Sequence, residues 1–307
     1  MLCLGMVARK RKIVDAASTQ HLSNLCINII YPALIYASMV SNFTLGKLWE
    51  NRALPAGAFL IMAVGFILGR LCLASFTFKN ESRKNAVLFQ CTINNYSFLP
   101  MPLAFLFWGD QGLALLIFST IGSEIAVWTL GINALNGGRA SLKELRHLLN
   151  MPMIAILAAL VTMGLQTLAT VAGFNPVDFW APLKEMAATF LSTLNLFGKA
   201  TIPIAMIVAG SRTAERHPRH LLSRDSLLVA IMRLIVVPAA VVGLLFLAPL
   251  TPLTRDLLLL IAVMPSSVAS VMLCDLYDSD SDFAAASVLI THLFCLVTIP
   301  VWLFLCR

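Results

Sequence analysis

Asn94-Asn95-Tyr96-Ser97-Phe98-Leu99-Pro100-Met101-Pro102 and Met264-Pro265-Ser266-Ser267-Val268-Ala269-Ser270 decide the fold. Each lies inside an apolar stretch otherwise long enough to cross a membrane. Proline removes a helix hydrogen bond and clashes with the carbonyl one turn back, so each stretch should become two half-helices with exposed backbone ends. Lipid excludes such backbone unless it lines a cavity or is buried in protein. Paired interruptions at corresponding places in two halves of a chain point to the binding site of a secondary transporter. That is the function class the sequence implies.

Composition agrees. Of 307 residues, 59% are hydrophobic and 12% charged, against about 25% charged in a typical soluble domain. Apolar runs of about 20 residues, each enough for a hydrocarbon core about 30 Å thick, recur along the chain. They cover 24–41, 53–76, 86–107, 112–135, 151–172, 186–210, 226–248, 256–275 and 283–306. Residues 1–8 are apolar but too short to span, and Arg9-Lys10-Arg11-Lys12 follows them. A secretory signal carries its charges before the apolar run and a cleavage site after it. This segment has neither and reads as the end of a truncated first helix, giving a ten-helix design with nine complete spans. The seven cysteines are scattered, with no C-x-x-C pair or histidine cluster. Neither a disulfide framework nor a metal site is expected, and no cofactor.

The net charge of +7 is sorted by loop. With loops alternating sides, one side holds Arg9, Lys10, Arg11, Lys12, Lys79, Arg83, Lys84, Arg139, Lys143, Arg146, Arg212, Arg216, Arg219 and Arg224. The other holds only Lys47, Arg52, Lys184, Arg255 and Arg307. Basic loops stay cytoplasmic, so the charge marks topology rather than a nucleic-acid site, and both termini should face outward. Loop 276–282 dissents: it falls on the inner side yet carries Asp278, Asp280 and Asp282 with no Lys or Arg.

The halves echo each other. Asn28 stands four residues before Pro32 in one span, and Lys199 four before Pro203 in another. The next broken span follows each at similar distance, at Pro102 and Pro265. The expected division is a first repeat over 1–135, a basic cytoplasmic connecting loop over 136–150 and a second repeat over 151–307. Five spans per half is odd, so the second copy must run inverted across the membrane, as in many secondary transporters.

Phe98-Leu99-Pro100-Met101-Pro102-Leu103 after Asn95 resembles the asparagine-to-proline crossover stretch of the auxin efflux carrier family. Met264-Pro265 through Tyr277, then Ala284-Ala285-Ala286-Ser287, resembles that family's second crossover helix and the helix after it. Leu4-Gly5 through Pro32-Ala33-Leu34 resembles its end of helix one, basic turn and second helix. The resemblance covers essentially the whole chain, and the malate/malonate permeases of bacteria are the branch it suggests. It implies an all-α integral membrane protein of two inverted five-helix repeats, with two crossed broken helices at the centre. Elevator movement of a transport part against a scaffold, and organic-anion substrates, are implied with it. Ala269 stands where the family would have a polar residue, often Asn, and Tyr96 and Pro100 replace smaller residues.

Several side chains are candidates for chemistry. Asn94 and Asn95 can donate to a carboxylate at less cost than a buried charge, with Tyr96 and Ser97 beside them. A half-helix beginning near Pro102 would aim free N–H groups at the same point. The competing reading is that the amides cap backbone freed by the kink. Beyond Pro265, Ser266 and Ser270 share a helix face, with Ser267 adjacent; mid-membrane serines also serve as small packing residues. Glu124, Lys199 and His292 are ionisable groups near the middle of spans, where a charge needs a partner or a watery path. Each is a candidate for coupling to protons. Lys199, in the place of Asn28, would attract an anion or pair with Glu124. Arg233, nearer the end of its span, would snorkel to the surface.

The partners expected are a small mono- or dicarboxylate, the lipid bilayer of the cytoplasmic membrane, protons, and a second copy of the chain. A sodium-coupled symporter of the bile-acid type would need a cage of carboxylate, amide and carbonyl oxygens, and no acid lies within either crossover. A non-transporting sensor is a further alternative. No H-E-x-x-H, G-x-S-x-G or intramembrane aspartate pair supports an enzyme.

Overall fold

The computed structural model describes residues 2–138, 148–172, 181–214 and 223–306. These are helices with no strand ladder among them. In order they are α1 (Leu2–Lys10), α2 (Ala16–Asn42), α3 (Ala53–Ala74) after a short helix at Leu45–Glu50, α4 (Glu81–Thr92) and α5 (Pro100–Leu135). Then come α6 (Met151–Val171), α7 (Ala181–Lys199), α8 (Thr201–Ala214), α9 (Arg224–Leu247), α10 (Pro252–Ala262), α11 (Ser270–Leu276) and α12 (Ser281–Leu305). Among the described residues, seven helical stretches are long and apolar enough to cross a membrane. The two expected spans missing from them, 86–107 and 256–275, are the two that break.

Local chemistry sets the helix starts. Asn80, Asn150, Ser223, Thr251 and Asp280 each accept a hydrogen bond from the backbone N–H three residues on, relieving donors that have no intrahelical partner. Inside the long helices, proline is accommodated without a break. A π turn at Cys26–Ile30 lets the Tyr31 N–H reach the Cys26 carbonyl just before Pro32. Another at Met232–Val236 does the same for Val237 before Pro238. The wider turn makes room where the ring would clash. Pro203 is different: α7 ends at Lys199, and the chain restarts at Thr201.

The helices pack as two groups. In the first, α2 lies against α6, α7 and α8, and α1 lies along α8. In the second, α3 packs on α4 and α5, α9 on α12, and α10 and α11 fill the middle. The chief contact between groups is α2 against α5, and one apolar cluster runs through it, with Tyr31, Leu34 and Met39 meeting Met101, Leu113 and Leu116. Close approach within each group depends on glycine. A Cβ at Gly5 would strike the Ile207 carbonyl, and one at Gly122 the Pro55 carbonyl. Outward-facing apolar residues such as Leu60, Ile67, Leu71, Leu165 and Leu168 remain exposed along the helices, as a lipid-facing surface requires.

The acidic loop 276–282 lies beside the basic first turn of α4 and the start of α9. Arg83 Nε lies 3.4 Å from Asp280 Oδ2 and 3.7 Å from Asp225 Oδ2, and the Ser279 hydroxyl donates to the Ser82 carbonyl at 3.2 Å. The acidic loop 276–282 therefore sits at the same end as Arg83 and Arg224, offsetting their charge. The basic segments 139–147 and 215–222, and the connection 173–180, lie outside the described residues.

Candidate functional site

Both proline-rich stretches leave the helix for seven residues, 93–99 between α4 and α5 and 263–269 between α10 and α11. The two breaks meet. Asn94 and Ser266 form an antiparallel bridge, in which the Asn95 N–H donates to the Pro265 carbonyl at 2.7 Å and the Ser267 N–H to the Ile93 carbonyl at 3.2 Å. Backbone that lipid would not tolerate is thus paired with backbone.

Side chains complete the exchange. The Asn94 amide Nδ2 donates across to the Ile261 carbonyl near the end of α10 at 2.6 Å. The Ser266 hydroxyl donates back to the Gln90 carbonyl of α4 at 3.1 Å. Gln90 Nε2 donates to Ser270 Oγ at 2.8 Å, and Ser270 Oγ to the Ser267 carbonyl at 2.6 Å. Ser266 N–H reaches Thr291 Oγ1 of α12 at 3.3 Å. Each half-helix end is therefore satisfied largely by the other break.

Asn95 does two things. Its Oδ1 accepts from the Leu99 N–H at 3.4 Å, ahead of α5, and its Nδ2 meets His292 Nε2 at 3.2 Å. His292 Nδ1 lies 2.8 Å from the Val288 carbonyl. A carbonyl only accepts, so Nδ1 carries the proton and Nε2 accepts from Asn95. Both asparagines thus take the capping role in this state. Ser97 is buried, and its carbonyl accepts from the Met101 N–H. Helix α5 starts at Pro100, with Pro102 in its first turn.

Tyr96 leads from the break to Glu124. Its hydroxyl donates to Glu124 Oε1 at 2.8 Å, while Trp128 Nε1 and Asn150 Nδ2 donate to Oε2 at 3.3 and 2.9 Å. The carboxylate, 8% exposed, is held by three neutral donors.

Two expectations are corrected. Lys199 does not pair with Glu124; its Nζ lies 3.0 Å from Asp110 Oδ1 and 5.2 Å from the centre of the Phe105 ring. The reason is position along α5. A kink at Gly109, with φ 62°, presents Asp110 to α7, whereas Glu124 lies about 21 Å further along the helix at 1.5 Å per residue. Arg233 does not snorkel. It is fully buried, and its Nε and Nη2 donate to the Met264 and Ala262 carbonyls at 3.1 and 2.7 Å. Sequence reading missed Arg233 and Gln90. The signals were there: Gln90 is one helical turn before Asn94, and Arg233 is the one charge inside span 226–248.

The structure brings Asn94, Asn95, Pro265, Ser266, Ser267, Ser270 and His292 together, with Tyr96 and Glu124 adjoining. Asn28 and Lys199 belong to the other helix group, and Asn28 is exposed with its amide on the Asn24 carbonyl. Between the groups lies a small cleft. Phe98, Val268, Ala269 and Met272 of the crossover face Ser23, Cys26 and Ile27 of α2 and Ala205 and Val208 of α8 across it. The cleft is small, with an interior volume of about 30 Å³.

Two broken helices crossing inside a membrane-spanning helical bundle, beside a cleft between helix groups, define a membrane transport protein. The chain belongs to the membrane transport protein family, that of the auxin efflux carriers, whose profile matches residues 1–147 and 139–303. It is similar to an uncharacterized transporter of Methanocaldococcus jannaschii, 27% identical over 98% of this chain and 95% of the relative. A second uncharacterized transporter, from Methanothermobacter thermautotrophicus, is 23% identical over 98% of this chain and 94% of its own length.

Proposed function

We propose that the protein is a secondary carrier of small organic anions in the cytoplasmic membrane, working by movement of the second helix group against the first. The observation that carries this reading is the pairing of two seven-residue breaks, opening on a cleft between the groups. The start of α5 aims N–H groups and a positive dipole end toward the crossover, which suits an anion. Breaks of equal length, following helices of 12 and 11 residues, support two inverted repeats over 1–135 and 151–307. Asn94, Asn95 and the crossover serines take up the substrate when the cleft opens and their present caps are exchanged. Glu124, joined to the crossover through Tyr96, is the best-placed group to couple protons to that exchange. Mono- and dicarboxylates of the malate and malonate kind are the substrate class the family resemblance favours.

Purified protein in proteoliposomes, given a panel of radiolabelled mono- and dicarboxylates with and without an imposed pH gradient, tests the reading. Saturable uptake of at least one anion is expected, enhanced by the gradient. Absence of uptake and of binding across the panel would overturn it.

A further inference from the structure

The two breaks are capped by different chemistry. At the end of α4, the freed carbonyls take neutral donors: Ser266 Oγ on Gln90 and the Ser267 N–H on Ile93. At the end of α10, the Ile261 carbonyl takes the Asn94 amide, but the Ala262 and Met264 carbonyls take the guanidinium of Arg233. A helix C-terminus carries a partial negative charge of about half a unit, and unwound carbonyls at half-helix C-termini are where secondary transporters bind a cation. Here a side-chain cation sits on them.

The placement is built, not incidental. Arg233 lies in the π turn Met232–Val236, whose wider turn is fixed by Pro238. The side chain is 0% exposed, and its remaining nitrogen, Nη1, is buried without a hydrogen-bond partner. No carboxylate among the described residues forms an ion pair with it. A buried cation without a counter-ion is costly, so the α10 carbonyls are its principal compensation.

We infer that Arg233 is a tethered cation occupying the carbonyl site of the second crossover, in the role that a free metal ion such as sodium would otherwise fill. The carrier is then independent of sodium at that site. Because α9 packs with α12 and α10, the positive charge travels with the crossover. Arg233 is a positioning residue: it fixes the break that the substrate meets.

The uptake arm of the test rests on the carrier reading above; the stability arm does not. Thermal unfolding of the purified protein is compared in sodium chloride and in choline chloride at equal ionic strength, for the native chain, Arg233→Ala and Arg233→Lys. The native midpoint and any anion uptake should be the same in both salts. Arg233→Ala should unfold at lower temperature, and methylguanidinium at millimolar concentration should raise its midpoint but not that of the native chain. Its uptake should fall about tenfold or more, the scale of leaving buried carbonyls unpaired. Should Arg233→Ala not fold, Arg233→Lys, which keeps the charge but not the two-pronged contact, is expected to fold with a lowered midpoint. Sodium-dependent stability or uptake of the native chain would overturn the inference, as would an Arg233→Ala protein of native midpoint. If no anion is transported but the guanidinium effect is present, the carrier reading fails and the cation site stands.

Discussion

Asn95 illustrates how one amide holds two structures. Its carbonyl caps the N–H of Leu99 and its amide nitrogen donates to His292, so its two ends join the first break to α12. Asn95→Ala and His292→Ala should therefore be non-additive, with a coupling of about 0.5–3 kcal/mol in a double-mutant cycle of detergent unfolding. Independent effects would show that the 3.2 Å contact contributes nothing. Asn94→Ala should cost about 0.5–1.5 kcal/mol, since it removes the 2.6 Å bond to the Ile261 carbonyl and leaves that group only the Met264 N–H at 3.3 Å, measured as a lowered unfolding midpoint. Glu124 is different in kind. Glu124→Gln keeps the shape and loses the ionisable oxygen that Tyr96 faces. On the carrier reading it should abolish the boost from a pH gradient while leaving substrate counterflow within about twofold, as expected when coupling rather than binding is removed. Loss of counterflow as well would place Glu124 in binding instead.

At the scale of elements, proline and its neighbours were the readable signal, but proline alone did not say which helices break. Pro32, Pro203, Pro238 and Pro300 all interrupt apolar runs. Pro32 and Pro238 are absorbed by π turns, and Pro300 sits within a continuous α12. What marked the true breaks was proline beside amides and hydroxyls, because seven residues without helical bonds need donors at hand. Long-range partners were not readable. Nothing local in the sequence says that the Asn94 amide reaches residue 261, or that the guanidinium of Arg233 folds inward instead of toward water. The Lys199–Glu124 expectation failed for the same reason, since a one-dimensional repeat aligns depths within a half but not the stagger between helix groups. Close helix approach was also hidden. Gly122 sits against the Pro55 carbonyl, so Gly122→Ala should force α3 and α5 apart and cost about 1–3 kcal/mol, read as a lowered midpoint or reduced yield of folded protein.

For the whole molecule, the polar links between the two helix groups carry information about their relative level. Asp110 stands at the turn before the main run of α5, yet it meets Lys199, near the centre of the span Glu185–Val208. Glu124, mid-way along α5, meets Asn150, the cap at the very start of α6. From Asp110 to Glu124 is about 21 Å of helix, and from Lys199 to the end of α8 about 22 Å. One displacement of the second group, by roughly half a hydrocarbon core of about 30 Å, satisfies both contacts. On the sequence expectation that basic loops stay cytoplasmic, that displacement is inward. On the carrier reading, both links must break for the crossover to reach the outer face. In a background with the native cysteines replaced, Asp110→Cys with Lys199→Cys should be joined by a short bis-methanethiosulfonate spacer, which replaces the reach of the Lys199 side chain that now meets Asp110 at 3.0 Å and that a direct disulfide would not span. The cross-linked protein should lose nearly all uptake, and reduction should restore it, because the bond pins one group to the other. The Cys pair kept reduced controls for loss of the ion pair itself, which at this half-exposed site should matter little, about 0–1 kcal/mol. Full uptake by the cross-linked protein would mean that the groups do not move past each other, and transport would then need a gate local to the crossover.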